Sequence, residues 1–250
     1  MEKTTQYINR FIKRPIKRSI QKALHIPDPW EDIRRLTAKW KPGIVVDVGA
    51  NQGQTAVKLS TLLSEWKIYA FEPFPDAFTK LKNAISSMPN VVPLNIAISD
   101  KTGIADFHVN VSNVTNSLLP ATNTGTAYFP EELRPQKIIH VPTKTLDDWS
   151  KEVNIHEIQI LKMDVQGAEL LVLEGATELL QNSIHLVYSE VQFLPIYQDA
   201  TTFGKLEAFL LNKEFSLYQL YDLHSSPDGQ LLYGDALFIR NKNSCDKYKI

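Results

Sequence analysis

Cysteine is nearly missing from this chain: Cys245, close to the C-terminus, is the only one in 250 residues. A disulfide framework and a cysteine-rich metal site are excluded, and a reducing, cytoplasmic compartment fits. Excess charge of one sign is missing too. The 27 Lys and Arg balance 28 Asp and Glu, for a net charge of -1, so no global field points to nucleic acid or to an anionic surface. Apolar runs fall far short of the roughly 18 residues a membrane-spanning helix needs. No basic start followed by an unbroken apolar block marks a signal peptide, and no internal repeat is evident. What remains is ordinary globular composition, 43% hydrophobic and 22% charged. It is enough for one α/β core with a small extension.

The one local charge excess lies in residues 1–26. Seven basic side chains from Lys3 to Lys22 face a single acid, Glu2, while Ile8, Phe11, Ile12, Ile16, Ile20 and Leu24 recur at three- and four-residue spacing. This is a basic amphipathic helix pattern interrupted at Pro15. It predicts either peripheral contact with an anionic membrane surface or partner, or a leader helix packed on the domain. Pro27-Asp28-Pro29 marks a break. A short helix follows over 30–40, with Ile33, Leu36 and Trp40 on one face, and stops at Lys41-Pro42-Gly43. The expected division is an extension over 1–42, a main domain over 43–240 and a polar tail over 241–250.

The main domain opens on IVVDVGANQGQT, residues 44–55. It reads as strand, glycine turn, helix, the start of a nucleotide-binding βαβ unit. A Walker A loop is excluded, because no Lys follows Gly53 before Lys58. The dinucleotide fingerprint is broken as well: Asn51 stands at its second glycine and Ala56 at its third. What is left, Asp-x-Gly-x-Asn-x-Gly, resembles the first motif of S-adenosylmethionine (SAM) methyltransferases, whose ligand has no phosphates. Glu72 follows Asp47 by 25 residues, in Phe71-Glu72-Pro73 at the end of the second strand. In Rossmann-like sites an acid there accepts hydrogen bonds from ribose hydroxyls.

Further on, strands are expected at 91–98 and 104–109, then an Asn-, Thr-, Ser- and Pro-rich stretch over 110–135 that reads as a substrate-side lid. His140, in a strand-like stretch, reads as structural. Thr145 caps a helix with Asp147 and Asp148 in its first turn. A strand over 157–163 ends on Asp164, and a helix is expected from there to about 180. Strands over 184–191 and 215–221, and a last one over 230–239, carry Glu190, His224 nearby, and Asp235. Asp164 and Glu190 sit at carboxyl ends of strands, where open α/β sheets place ligands. They are the candidate base and its assistant, with Asp235 and His224 behind them. Asp164, Glu190 and Asp235 also offer oxygen ligands suited to Mg²⁺, but sequence distance does not show that they converge, so no metal ligand is assigned.

The blocks VVDVGANQGQT, YAFEPFPDAFTKL, IAISDKTGIADFHV, TKTLDDW, LKMDVQGAELLVLEGA and GDALFIR stand in this order. Together they resemble the FkbM family of SAM-dependent methyltransferases over residues 44–240. The resemblance implies a Rossmann-like seven-stranded α/β sheet, mostly parallel with an antiparallel C-terminal hairpin and helices on both faces. It implies O-methylation, often of a sugar hydroxyl in a glycan, glycolipid or natural product. By position, Asp47 and the backbone of Gly49, Ala50, Asn51 and Gly53, with Thr55, hold the methionine part of SAM. Glu72 binds the ribose with Pro73 behind it, Ala97 and its neighbours flank the adenine, and Asp164 and Gln166 face methyl group and substrate. Gln166 departs from the family pattern, which has Glu there. The competing readings are a nicotinamide-dependent oxidoreductase or epimerase, and a non-catalytic SAM-binding module.

Overall fold

The computed structural model describes residues 27–241. The basic segment 1–26 and most of the polar tail, Cys245 included, lie outside the described residues. The first helix, α1 (Pro29–Thr37), starts where the Asp28 carboxylate accepts from the backbone of Trp30 and Glu31, with Pro29 in the first turn. Its apolar face buries Ile33 and Leu36 in the same core as the first strands. The stretch 27–42, expected as part of an extension, is therefore packed into the main body.

β1 (Ile44–Val48), β2 (Lys67–Phe71), β3 (Val91–Leu94), β7 (Ile160–Met163) and β8 (Leu186–Gln192) run parallel, while β10 (Leu231–Arg240) is antiparallel to both β8 and β9 (Phe215–Ser225). The spatial order is β3-β2-β1-β7-β8-β10-β9. This is the expected seven-stranded sheet with its antiparallel hairpin. Alternation along each strand feeds two cores. Val46 and Val48 of β1 and Leu161 and Met163 of β7 enter one, and Val45 and Ile160 enter the other. A strand buried on both faces must be apolar at successive positions, which is why IVV of β1 and LVY of β8 read as continuous runs.

The helices covering the sheet are α2 (Gln54–Leu62), α3 (Pro75–Ala84), α5 (Leu146–Glu152), α6 (Glu169–Glu174), α7 (Thr177–Asn182) and α8 (Phe203–Asn212). Two expectations need correction. The strand over 91–98 breaks at Asn95, whose side-chain amide donates to the carbonyls of Glu72 and Pro73. The chain then leaves the large sheet. β4 (Ala97–Ile98) pairs with β6 (Pro135–Lys144), which also pairs with β5 (Gly103–Asn110), giving a second sheet in the order β4-β6-β5. The helix expected to run to about 180 breaks at Gly175. A Cβ there would stand 2.1 Å from the Ser99 carbonyl oxygen, so the backbones meet where only glycine fits.

Asp147 does more than favour its own helix. Its buried carboxylate accepts from the backbone N–H groups of Glu178 (2.9 Å) and Leu179 (3.1 Å), capping α7 across the fold. Asp147→Ala leaves those buried donors unmet and is expected to lower the unfolding free energy by about 1–3 kcal/mol. Urea denaturation measures the loss; an unchanged midpoint would show that water satisfies the α7 terminus instead.

Candidate functional site

β1 ends in a turn that the sequence can make at few other places. Gly49 has φ 76°, and a Cβ on it would lie 1.9 Å from the Asp164 carbonyl oxygen, so the turn after β1 and the loop after β7 touch backbone to backbone. Asn51 follows at φ 47° and Gly53 at φ 94°. Gly53 makes room for the packing of α2 on α3, since its missing Cβ would stand 2.9 Å from Leu81.

Beneath this turn lies a buried ion pair. Asp47 and Lys162 are register partners across β1 and β7, and Lys162 Nζ lies 3.0 Å from Asp47 Oδ1 and 4.0 Å from Asp164 Oδ2. The ammonium also donates to the Gly49 carbonyl at 3.3 Å. Burial lowers the Lys162 pKa, but the charges of Asp47 and Asp164 outweigh it and the net shift is upward, so the lysine stays charged. Lys162 was not among the residues expected at the site. Its signal was a lysine inside the otherwise apolar strand ILKM.

The turn, the ends of β2 and β7, and β4 enclose a cavity of about 340 Å³. Of the residues expected to hold a cofactor, Gly49, Ala50, Asn51, Thr55, Glu72, Pro73, Ala97 and Asp164 line it. Asp47 and Gly53 stand behind the wall and shape it. Glu72 is buried, and its two oxygens accept the backbone N–H groups of Asn51 and Phe74, each at 2.8 Å. One wall is apolar, from Phe71, Ile96, Ile98, Phe107 and Leu118. Two buried polar atoms of lining residues have no partner, Asn51 Oδ1 and Asn116 Nδ2. One acceptor and one donor are thus left for a ligand. An apolar slot beside a buried acid and a glycine turn has the shape and polarity to take a nucleoside.

A second cavity, about 280 Å³, shares Val114, Asp164 and Gln166 with the first. Gln166, at φ 56°, is the hinge between them. Its Nε2 donates to Asp164 Oδ1 at 2.9 Å and to Glu190 Oε2 at 2.5 Å. The Tyr197 hydroxyl lies 2.9 Å from both Gln166 Oε1 and the Thr115 carbonyl, and its one proton serves one acceptor at a time. Burial, then the charges of Asp164, Asp235 and Glu169, raise the Glu190 pKa well above the carboxylate range. A neutral amide at 166 is compatible with two flanking carboxyl groups. A glutamate there would set three together.

The segment 110–135 contributes to both cavities. It holds a 3₁₀ turn (Asn113–Thr115) and a short helix, α4 (Asn123–Tyr128). Asn113 and Asn116 line the first cavity, and Thr115, Phe129, Glu132 and Leu133 the second. These were missed individually because irregular backbone carries no periodic signal.

The remaining candidates fall elsewhere. His140 is exposed and pairs with Asp106 on the second sheet. Asp235 accepts from the Tyr188 hydroxyl at 2.9 Å, and the His224 ring stacks on Tyr233; neither lines a cavity. Among the described residues no three His, Cys, Asp or Glu side chains are grouped to hold a metal ion. No described helix is long and apolar enough to cross a membrane.

Sheet order, glycine turn and twin cavities together define a Rossmann-like methyltransferase. The model of the FkbM methyltransferase domain matches residues 47–217, and the chain belongs to that family. It is 27% identical over 190 residues to the 2-O-methyltransferase NoeI of Sinorhizobium fredii, covering 73% of this chain and 71% of that protein. It is 29% identical over 149 residues to the hexuronic acid methyltransferase AglP of Haloferax volcanii, covering 59% of this chain and 55% of that one. The crystal structure of an rRNA methylase from Streptococcus thermophilus overlays with a TM-score of 0.48 at 13% identity, over 87% of this chain and 99% of that one. Family membership leaves the oxidoreductase and epimerase reading without support.

Two predictions follow from the electrostatics. Lys162→Ala strands the Asp47 charge in the core and is expected to cost about 3–5 kcal/mol of stability, measured by urea denaturation; a loss under 1 kcal/mol would show that Asp47 is neutral in the fold. The second concerns pH. Burial first, and neighbouring carboxylates, raise Glu72, Glu169 and Asp235 to about 7 from ordinary values of 4.5, 4.5 and 3.8. The folded chain then binds more protons than the unfolded one from about pH 4.5 to 7. The stability these groups contribute is present below that range and is lost as pH rises through 7. His185 opposes this: burial, then Arg240, lowers it to about 4 from 6.5, so its contribution is lost as pH falls below 6.5. Three groups outweigh one, and the unfolding free energy is expected to be higher at pH 6 than at pH 8. The opposite slope would mean that these carboxyls are ionised in the fold.

Proposed function

We propose that this chain is a SAM-dependent O-methyltransferase acting on a hydroxyl of a sugar in a glycan, glycolipid or natural product. The observation that carries the reading is the meeting of two cavities at Asp164 and Gln166, one suited to a phosphate-free nucleoside, the other leading to a pair of carboxyl groups. The activities for which two relatives are named support it, a 2-O-methyltransferase and a hexuronic acid methyltransferase.

When bound, SAM supplies an electrophilic methyl group on a sulfonium. Glu72 accepts hydrogen bonds from the ribose hydroxyls, the Gly49, Ala50 and Asn51 turn with Thr55 holds the methionine part, and Pro73 and Ala97 border the nucleoside. Asp47 serves from behind by fixing Lys162 and, through it, the turn. In-line transfer demands alignment, which fixed walls on both sides supply. A sugar hydroxyl is a weak nucleophile at neutral pH and gains from a base. Asp164, at the junction and with a side chain 42% exposed, takes that proton. Glu190 keeps its own proton, because of burial and the Asp164 charge, and assists by holding acceptor and Gln166 in place.

Calorimetric titration with SAM and with NAD is expected to give binding of SAM alone. Asp164→Asn is expected to lower kcat by about 10²–10⁴-fold in a methyl-transfer assay, with the melting temperature held within a few degrees. Binding of NAD in place of SAM, or full turnover by that variant, would refute the assignment.

A further inference from the structure

The second cavity has a one-sided chemistry that narrows the acceptor, an argument that rests on the methyltransferase reading above. Its acidic lining residues are Glu132, Asp164 and Glu190, of which Glu132 and Asp164 supply the negative charge, and among the described residues no Lys, Arg or His lines it. The nearest lysine of the site, Lys162, is engaged by Asp47 and Asp164 on the cofactor side. Gln192, two residues beyond Glu190 on β8, also lines this cavity. It is 2% exposed, and its Oε1 has no hydrogen-bond donor. A buried acceptor without a donor is costly unless a ligand supplies one. Directly across the strand pair, Gln192 faces Tyr233. The Tyr233 ring is stacked on His224 at 4.5 Å, and Phe129 approaches it at 6.2 Å. The cavity thus combines an aromatic side with hydrogen-bond acceptors and negative charge.

We infer that the acceptor is an uncharged sugar, held with its C–H face against Tyr233 and Phe129 and a hydroxyl donating to Gln192 Oε1, and that uronates and sugar phosphates are rejected. A neutral polyol brings donors to every acceptor in the wall. An anionic sugar brings like charge into a partly desolvated cleft in which no described lining residue is a cation. Gln192 is then a specificity-determining residue: a site built to receive a hydroxyl rejects analogues that lack it more strongly than an apolar pocket rejects a methylene. This sets the chain apart from its relative named for hexuronic acid.

The test uses the full chain with methyl-labelled SAM and paired probes. Methyl glycosides of glucose, galactose, mannose, fucose and N-acetylglucosamine are compared with methyl glucuronide, methyl galacturonide and glucose 6-phosphate. Label is expected in at least one neutral glycoside at a kcat/KM ten or more times that of any anionic probe. Gln192→Leu is expected to raise KM for that glycoside about tenfold while the SAM Kd stays within twofold. Glu132→Lys, at an exposed position that folding tolerates, is expected to shift relative kcat/KM toward the uronides. Uronide or phosphate use equal to or above neutral use overturns the inference, as does SAM binding with no transfer to any neutral probe. Failure to bind SAM would instead sink the underlying methyltransferase reading.

Discussion

The Asp47–Lys162 ion pair is the contact on which the site depends. It joins the first and fourth parallel strands in the middle of the sheet, and its ammonium reaches up to the Gly49 carbonyl. A charge so deep is tolerable only with a partner and further hydrogen bonds. That requirement ties three things together: the register of two strands, the shape of the glycine turn and the position of Asp164. The turn can sit on Asp164 because Gly49 has no side chain. The floor of one cavity is thereby fixed to the wall of the next.

Above that pair, the Gln166 amide takes up a second electrostatic constraint. Two carboxyl groups within reach of one side chain repel unless a proton or a donor separates them. Gln166 provides the donor to both, and burial beside Asp164 pushes the Glu190 pKa upward. The left-handed backbone at 166 and 167 turns the side chain back over the strand ends. Gln166 is the residue that physically connects the two cavities.

The βαβ start, the acid at the end of β2 and the antiparallel hairpin were legible because each is local. A glycine turn needs particular residues at particular positions, and strands buried on both faces need unbroken apolar runs. Glu72 was found at its site for the same reason: strand, helix and strand have predictable lengths. The break at Asn95 was not legible. Residues 91–98 are apolar enough for one strand, and only the carbonyls of Glu72 and Pro73, brought near by β2, bend the chain into the second sheet. The helix break at Gly175 likewise depends on Ser99, far away in sequence.

From sequence alone come the fold class, the glycine turn, the acid at the end of β2 and the candidate carboxylates at strand ends. Their signals are periodicity, turn chemistry and spacing, which act over a few residues to a few tens. Tertiary structure decided which of them meet. It placed Asp164, Gln166 and Glu190 around one boundary, moved Asp47 behind the wall, left Asp235 and His224 outside both cavities, and brought Gln192 opposite Tyr233. Those outcomes depend on strand order and cross-strand register, which couple residues 24 and 115 positions apart (Gln166 to Glu190, Asp47 to Lys162). No local pattern carries that information.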